Sequence, residues 1–250
     1  MAGHSKFKNI MHRKGAQDAR RARMFTRLGR EIQVAAKLGG ADPGSNPRLR
    51  IAIQNARGEN MPRERIEKAI QSGVGGTAGD DYVQMKYEGY GPGGVAIIVD
   101  TLTNNKNRTA GDIRSTFSKH GGNLGAEGSV GFMFERVGEI IYSLNVASPD
   151  AMFEAALEAG ARNVESTDTH DITTDPDDFA SVRSALVTRF AEPTKSGLTW
   201  KPTIMANADQ TQAEAVLDLI EALEDNDDVQ QVITNLEVSE SVMMMMSSKK

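Results

Sequence analysis

The stretch YEGYGPGGVAIIVD, residues 87–100, decides the fold of the central part of this chain. On either side of Gly-Pro-Gly-Gly, the segments VQMKYEGY and VAIIVDTLT have the composition of strands, so we expect two strands joined by a sharp turn. The same glycines satisfy the spacing G-x-G-x-x-G of dinucleotide-binding enzymes. That fingerprint needs a helix directly after the glycines. Because a strand follows here, we interpret them as a turn that shapes a surface near Lys106 and Arg108.

Three helices are predicted ahead of this hairpin. The first covers residues 16–38 and ends at Gly39-Gly40, a common C-terminal stop. Pro47 and Pro62 each mark the start of another helix, because the fixed φ of proline suits the first turn. Residues 74–81, VGGTAGDD, have the composition of a linker. The first 76 residues are therefore predicted to form an N-terminal three-helix domain preceded by a basic arm.

After the hairpin the pattern alternates between helices and strands. Further helices are predicted over residues 108–120, 149–160, 177–190 and 210–225. Further strands are predicted over residues 128–135, 139–144, 170–174, 198–206 and 229–238.

The order of these elements predicts an insertion. Residues 82–134 hold only one helix to cover a sheet, and the last helix and strand of the chain complete that set. We therefore expect an α+β protein in which the three-helix domain (1–76) precedes two small α/β sandwich-like (ferredoxin-like) domains. The second domain combines residues 77–134 with 206–240, the third (135–205) is inserted in it, and residues 241–250 form a flexible tail.

The composition limits the class of protein. The 250 residues include no cysteine, which excludes disulfides, thiolate zinc sites and a cysteine nucleophile. The basic N-terminus lacks the apolar core of a secretory signal, and no apolar run has the length of a membrane span. We expect a cytoplasmic protein with no membrane association.

Opposite charges are segregated along the chain. Residues 1–76 carry 16 Lys and Arg against 6 Asp and Glu, whereas residues 77–250 carry 13 against 28. The net charges are therefore +10 and −15. Such a basic segment in an acidic protein favours a polyanionic partner.

The first helix concentrates this positive charge. Arg20, Arg23, Arg27 and Arg30 fall on one face, and almost no acidic residue lies four positions away to pair with them. A phosphate-binding face is one interpretation, and an ordinary solvated helix surface is the other. The candidate nucleic-acid-binding residues of the arm and this helix are Lys6, Lys8, Arg13, Lys14, Arg20, Arg21, Arg23, Arg27 and Arg30.

A second basic group lies in TNNKNRT, residues 103–109. Lys106 and Arg108 stand directly ahead of a predicted helix N-terminus, whose free N–H groups favour anions. Helix capping by Asn107 or Thr109 explains the same residues equally well.

No motif predicts catalysis, a cofactor or a metal ion. The histidines (4, 12, 120 and 170) show no metal-binding spacing, and we expect each at the surface or at a helix cap. The acidic runs DTHDITTDPDD and EALEDNDD lack the pattern of an EF-hand, so we expect solvated loops. The sequence favours a protein that is not an enzyme.

Several long segments resemble one family. MAGHSKFKNIMHRKGAQDARR, NMPRERIEKAI, YEGYGPGGVAIIVDTLTNNKNRTAGDIRSTFSKHGGNLG and IEALEDNDDVQQVITN are similar to the YebC family of probable transcriptional regulators and translational activators. The resemblance implies three domains, with the third inserted in the second, and no enzymatic activity. It places His4, Ser5, Lys6, Asn9, Arg13 and Lys14 in the opening motif. The chain departs from the family pattern at Phe7, where tryptophan is expected, and at Gly29, where a larger apolar residue is common.

Two functions follow from the resemblance and the charge. The first is a DNA-binding transcriptional regulator that uses the basic arm and helix on phosphates. The second is a ribosome-associated factor that binds ribosomal RNA and assists difficult, proline-rich elongation. The acidic domains could contact the ribosome or another protein, and we expect a monomer.

Overall fold

The computed structural model describes residues 17–75, 81–239 and residue 242. These residues form seven α-helices and ten strands, with a helical region ahead of two four-stranded antiparallel sheets and one parallel pair of short strands, which confirms the predicted α+β fold class. The helices are α1 (Gln17–Gly39), α2 (Pro47–Gly58), α3 (Arg63–Val74), α4 (Lys106–Lys119), α5 (Pro149–Ala159), α6 (Phe179–Phe190) and α7 (Gln210–Glu224). The strands are β1 (Val83–Tyr90), β2 (Ala96–Thr103), β3 (Asn123–Leu124), β4 (Phe134–Ser143), β5 (Asn163–Ser166), β6 (Thr169–Thr174), β7 (Lys195–Pro202), β8 (Ala206–Asn207), β9 (Val229–Thr234) and β10 (Leu236–Glu237).

The described residues divide into two compact units. Residues 17–27, 81–135, 201–239 and 242 belong to the first, and residues 28–75 and 136–200 belong to the second. The predicted division into three domains stays a prediction. No helix in the described part of the chain is both long and apolar enough to span a bilayer.

Buried Asn46 links α1 to α2. Its side-chain oxygen accepts the backbone N–H of Leu49 at 3.1 Å and caps α2, as the Asn-Pro sequence predicts. Its amide nitrogen donates to the carbonyl oxygen of Ala35 at 2.8 Å, near the end of α1. One side chain thus satisfies a free N–H of one helix and a carbonyl of another.

Two glycines in the helical region have opposite environments. A Cβ at Gly73 of α3 would lie 2.4 Å from the carbonyl oxygen of Gln33, so α3 can approach α1 this closely only without a side chain. A Cβ at Gly29 of α1 would meet only Met61 Cε, at an ordinary 3.7 Å. The glycine that departs from the family pattern is therefore not required by packing.

The first sheet has the strand order β3-β1-β2-β9. The predicted hairpin is confirmed: β1 runs antiparallel to β2, with Tyr90 opposite Ala96. The backbone N–H of Gly91 donates to the Val95 carbonyl oxygen at 2.8 Å. Gly93 and Gly94 have φ of 71° and 75°, values that glycine adopts without strain.

The expected position of this turn beside Lys106 and Arg108 is wrong. The turn precedes β2, whereas Lys106 follows its last residue, Thr103. Eight strand residues at about 3.3 Å each separate the two ends by about 25 Å. The glycine turn instead contacts α7, since a Cβ at Gly93 would lie 3.0 Å from the Gln212 side chain.

Helices α4 and α7 cover one face of this sheet. The core of the first unit combines Ile97 and Val99 of β2 with Phe117 of α4 and with Val216 and Leu219 of α7. Residue 242, the first of the methionine-rich segment VMMMMSSKK, packs against the same core, and residues 243–250 lie outside the described part. Apolar burial of residues from the hairpin and α4 and of residues near the end of the chain stabilises this unit.

Glu88 of β1 is a buried carboxylate, only 1% exposed. Its Oε2 accepts the backbone N–H groups of Val130 at 2.9 Å and Gly131 at 2.7 Å, and Lys86 Nζ lies 2.7 Å from Oε1. Burial raises the pKa of Glu88, but Lys86 and the backbone N–H groups, including that of Gly128, outweigh burial and lower the pKa to about 2. The carboxylate therefore fixes the loop before β4.

This carboxylate explains an error in the predicted strands. Residues 128–135 were expected to form a strand separate from 139–144, but the chain makes a short 3-10 turn at Gly131–Met133 and then one strand, β4. The N–H groups of Val130 and Gly131 bind Glu88 and cannot join a sheet ladder. The composition of GSVGFMFE does not reveal this distant acceptor.

The second sheet has the strand order β5-β6-β4-β7. Strand β5, which the sequence did not predict, pairs antiparallel with β6. Helices α5 and α6 supply Met152, Val182 and Leu186 to a core shared with Ile140 and Ile172. The predicted strand at 198–206 begins earlier, at Lys195, and ends at Pro202.

A side chain of α2 completes the backbone hydrogen bonding at the start of β7. Asn55 Nδ2 donates to the carbonyl oxygen of Ser196 at 2.8 Å, and Asn55 Oδ1 accepts the N–H of the same residue at 2.9 Å. The amide thus bonds as a neighbouring strand would. Gly58 allows the approach, because a Cβ there would lie 2.1 Å from the Thr194 carbonyl oxygen.

We expect Glu88→Gln to lower the free energy of unfolding at pH 7 by about 2 kcal/mol, because a neutral amide loses the ion pair with Lys86 and weakens the backbone hydrogen bonds. The folded pKa lies below the usual value of 4.5, so the stabilisation is complete above about pH 4.5 and is lost as the pH falls toward 2. Urea unfolding of the wild type and of Glu88→Gln between pH 7 and pH 3 measures whether the two free energies of unfolding approach each other as the pH falls. The control is Glu127→Gln at an exposed carboxylate; an equal effect of both substitutions would contradict the assignment.

We expect Gly29→Ala to raise the free energy of unfolding by up to about 1 kcal/mol, because alanine favours a helix interior and the site has room. Gly73→Ala is the matched control and should destabilise, since its Cβ meets the Gln33 carbonyl oxygen. Thermal and urea unfolding of both variants check the prediction. Destabilisation by Gly29→Ala would show that the α1 position needs glycine after all.

Candidate nucleic-acid interface

The N-terminal half of α1 presents a line of arginines. Arg20, Arg23 and Arg27 are three and four positions apart, so their side chains leave the same face of the helix. We call these three residues the arginine stripe. They belong to the first unit, together with α7.

The C-terminus of α7 carries charge of the sign that a helix end disfavours. Glu221, Glu224 and Asp225 lie in or directly after its last turn, where the free carbonyls already make the negative end of the helix dipole. No basic residue of α7 lies in that turn. We call these three residues the acidic end of α7.

The arginine stripe supplies the missing positive charge. Arg20 Nη2 lies 2.6 Å from Glu221 Oε1, and Arg23 Nη2 lies 2.8 Å from Asp225 Oδ1. Arg27 Nη2 donates to the backbone carbonyl oxygen of Glu224. These arginines, which have almost no acidic neighbours on their own helix, thus have partners about 200 residues later in the chain.

Arg27 is partly withdrawn from water. Burial lowers the pKa of its guanidinium and attraction to Glu224 opposes that effect, but an arginine stays charged at neutral pH. Its Nε is buried and has no hydrogen-bond partner among the described residues. Arg27 therefore holds its charge in a partly desolvated position, where its guanidinium donates to the Glu224 carbonyl oxygen.

The other two predicted arginines of α1 have different positions. Arg21 is exposed, and its guanidinium carbon lies 5.3 Å from the ring centroid of Phe25. Arg30 lies further along α1, in the part of the helix that belongs to the second unit. Lys6, Lys8, Arg13 and Lys14 lie outside the described residues, so their contribution stays a prediction.

The second predicted basic group lies at the N-terminus of α4, which begins at Lys106. The cap is Asn105, whose Oδ1 accepts the N–H of Arg108 at 3.1 Å. The helix is therefore capped by a side chain, but the expected cap residues, Asn107 and Thr109, are wrong. The helix starts earlier than predicted because Asn105 occupies the position just before the first turn.

Arg108 and Lys106 differ in their surroundings. Arg108 Nη2 lies 2.8 Å from Oδ2 of the buried Asp228, and this hydrogen bond raises the pKa of Arg108. The hydroxyl oxygens of Thr109 and Thr103 lie 2.7 and 3.2 Å from the same carboxylate oxygen. Lys106 is exposed on the first turn. Arg108 thus serves the packing of α4 on β9, while Lys106 faces solvent.

The predicted surface or capping role of the histidines is wrong for His170. Its ring is fully buried, with Nε2 at 3.0 Å from the Ala147 carbonyl oxygen and Nδ1 at 2.7 Å from Ser166 Oγ. Two partners make its burial acceptable. His120 is the C-cap residue of α4, and the other two histidines lie outside the described residues.

The acidic runs are partly engaged by arginines. Asp175 pairs with Arg162 at 3.3 Å, and the run EALEDNDD holds the acidic end of α7 together with Asp228. Within the described ranges, no group of three His, Asp or Glu has an arrangement that could hold a metal ion. The expected solvated loops are therefore wrong for both runs. Residues Thr169–Thr174 of DTHDITTDPDD form the largely buried strand β6. In EALEDNDD, three carboxylates and the Glu224 carbonyl oxygen contact arginine side chains.

The acidic end of α7 is the feature that sequence reasoning missed. Its signal was present: a helix that ends in acidic residues, in a segment without any Lys or Arg between Lys201 and Lys249, needs cations from elsewhere. The complementary signal was the arginine-rich face of α1 with almost no local acidic partners. Neither pattern identifies its partner, because the two segments are far apart in sequence.

We expect replacement of Arg20 and Arg23 by alanine to lower the free energy of unfolding by about 1 kcal/mol at low salt, because two partly exposed ion pairs are lost and the α7 C-terminus keeps its unfavourable charge. The loss should shrink between about 0.05 and 0.5 M salt, as screening weakens both effects. Urea unfolding at the two salt concentrations measures it. Arg57 and Arg114, exposed elsewhere, provide the matched double-alanine control, and an equal loss there would contradict the interpretation.

Comparison with known proteins covers nearly the whole chain. Residues 5–76 match a family model described as TACO1/YebC protein N-terminal domain. Residues 82–236 match a transcriptional-regulator model described as TACO1/YebC second and third domain. The chain is also similar to the crystal structure of a conserved hypothetical protein from Aquifex aeolicus, at 44% identity and a TM-score of 0.82, over 92% of this chain and 96% of that one. The resemblance found in the sequence is thereby confirmed, and this chain belongs to the TACO1/YebC family.

Proposed function

We propose that this protein is a non-enzymatic, DNA-binding transcriptional regulatory protein that uses its basic N-terminal arm and α1 on phosphate groups. Its family is a transcriptional-regulator-like group, which supports a regulatory role in general terms. In this proposal the protein acts in the cytoplasm as a monomer, without a cofactor or a metal ion.

The observation that carries the proposal is the segregation of charge. A net charge of +10 over residues 1–76, in a chain of net charge −5, provides a segment that attracts a polyanion, whereas the acidic remainder of the chain repels one. Lysine and arginine side chains that neutralise phosphates release condensed counterions, which favours binding. Such contacts position the protein on the duplex without selecting a sequence.

The candidate residues differ in whether the fold already binds them. The arginine stripe is bound to the acidic end of α7, and Arg108 is bound to Asp228. Arg21 and Lys106 are exposed. The four basic residues of the arm, Lys6, Lys8, Arg13 and Lys14, are the first set we assign to phosphate binding, because residues 6–14 carry four cations and no acidic residue.

A ribosome-associated translation factor that binds ribosomal RNA is the second candidate function. The observation that favours it is the net charge of −15 over residues 77–250, which would be repelled by a long DNA duplex but tolerated where only the basic arm enters an RNA cleft. Phosphate contacts serve both functions, so the two candidates differ in the polymer and not in the residues.

The experiment compares a DNA duplex with a ribosomal RNA helix over a salt series. We expect K6A/K8A/R13A/K14A to weaken binding and to reduce the slope of log K against log salt by about 3 to 4, because four phosphate contacts are removed. The comparison requires that the variant keeps the melting temperature of the wild type, so that weaker binding does not come from a loss of folding. Fluorescence anisotropy gives the slope, and thermal unfolding gives the stability.

The matched control removes four exposed cations elsewhere, in R57A/K68A/R114A/K119A. This variant should bind more weakly only through its net charge and should keep the slope of the wild type. If both variants change the slope equally, the arm is not the binding segment. Tighter binding of RNA together with co-sedimentation with ribosomes at low salt would replace the DNA proposal by the ribosomal one.

A further inference from the structure

We propose that the acidic end of α7 is an internal competitor that occupies the arginine stripe until a phosphodiester backbone displaces it. This inference rests on the proposed nucleic-acid-binding function and adds a regulatory contact to it. The competing groups are the carboxylates of Glu221 and Asp225 and the carbonyl of Glu224.

The contacts are of a kind that phosphate replaces directly. Each of Arg20 and Arg23 presents a guanidinium nitrogen to one carboxylate oxygen, and a guanidinium binds phosphate oxygens with the same charge and a similar geometry. Glu221 and Asp225 are one helical turn apart, so α7 presents a short row of negative charges to a row of arginines. A nucleic-acid strand also presents a regular row of negative charges.

The ion pairs are accessible enough to exchange. The carboxylate side chains of Glu221 and Asp225 are 45% and 53% exposed, and those of Arg20 and Arg23 are 25% and 28% exposed. Pairs with such exposure are weak and are screened by salt. A phosphate chain can therefore reach the arginines from solvent without opening the hydrophobic core.

Two features of the structure restrict the displacement of the acidic end of α7 from the arginine stripe. One is an energetic cost and the other is a structural limit. Without the arginines, the acidic end of α7 would return to like-charge repulsion at the negative end of the helix dipole. Asp228, three residues after Asp225, is only 4% exposed and is held by Arg108, Thr103 and Thr109. The movable part therefore ends before β9, and the sheet stays intact.

This arrangement favours a ligand that carries several phosphates over one that carries a single phosphate. An isolated phosphate would have to replace several partners of the stripe at once and would gain little. A strand with successive phosphates can replace Glu221, Asp225 and the Glu224 carbonyl together. The stripe is thus expected to discriminate in favour of polymers over free anions.

The test removes the competitor without touching the arginines. We expect E221Q/D225N to bind a DNA duplex or an RNA helix, whichever the wild type binds, about three- to tenfold more tightly, because the competing carboxylates are neutralised. E214Q/D218N is the matched control on the same helix, with one Glu, one Asp and the same spacing. It should change the affinity less than about twofold, through net charge alone.

Hydrogen exchange provides a second measurement that does not depend on a variant. Adding the nucleic acid to the wild type should raise exchange at the backbone amides of residues 221–227, while exchange in β9 stays unchanged. Inorganic phosphate at the same charge concentration should not have this effect.

The outcomes separate the two proposals. Equal affinity gains in both double variants, or no gain in either, would contradict the proposal that the acidic end of α7 competes with nucleic acid. Neither result would contradict nucleic-acid binding itself. Unchanged exchange at residues 221–227 in the bound wild type would also contradict only the competition. If the wild type binds neither polymer at low salt, the proposed function fails and the competitor fails with it.

Discussion

The pairing of β9 with β2 is the constraint on which the rest of the first unit depends. Ile98 lies opposite Ile233 and Val99 opposite Val232, so a strand near the end of the chain completes the sheet that the hairpin begins. Helix α7 directly precedes β9 and must therefore pack on this sheet beside α4. The same pairing places Asp228 between β2 and the first turn of α4. Its carbonyl accepts the N–H of Leu102 in β2, and its carboxylate binds Arg108 in α4.

The position of α7 then determines which groups the arginines of α1 contact. Its acidic end would destabilise an isolated helix, and α1 would carry an uncompensated row of arginines. Each segment has an unfavourable charge distribution by itself, and the contact between Arg23 and Asp225, with its neighbours, compensates both. The charge segregation that favours a polyanionic partner is thus also used, in part, to hold the fold together.

Much of the fold was predictable because its signals are local. Helix caps such as Asn46, the glycine turn between β1 and β2, and the apolar periodicity of α7 depend on residues close together in sequence. The errors arose where a distant group decides the local structure. Glu88 withdraws the N–H groups of Val130 and Gly131 from any sheet ladder, and two partners more than three residues away make the burial of His170 acceptable.

The candidate site was predictable in its residue types and not in its contacts. The sequence by itself determined the α+β class, the family and the concentration of positive charge before residue 76, because these depend on composition and on short patterns. Only the tertiary structure decided which cations are engaged, since Arg20 and Glu221 are 201 positions apart and meet through the packing of the first unit. Electrostatic complementarity acts through space, and a linear pattern of charge does not specify the partner that folding brings to it.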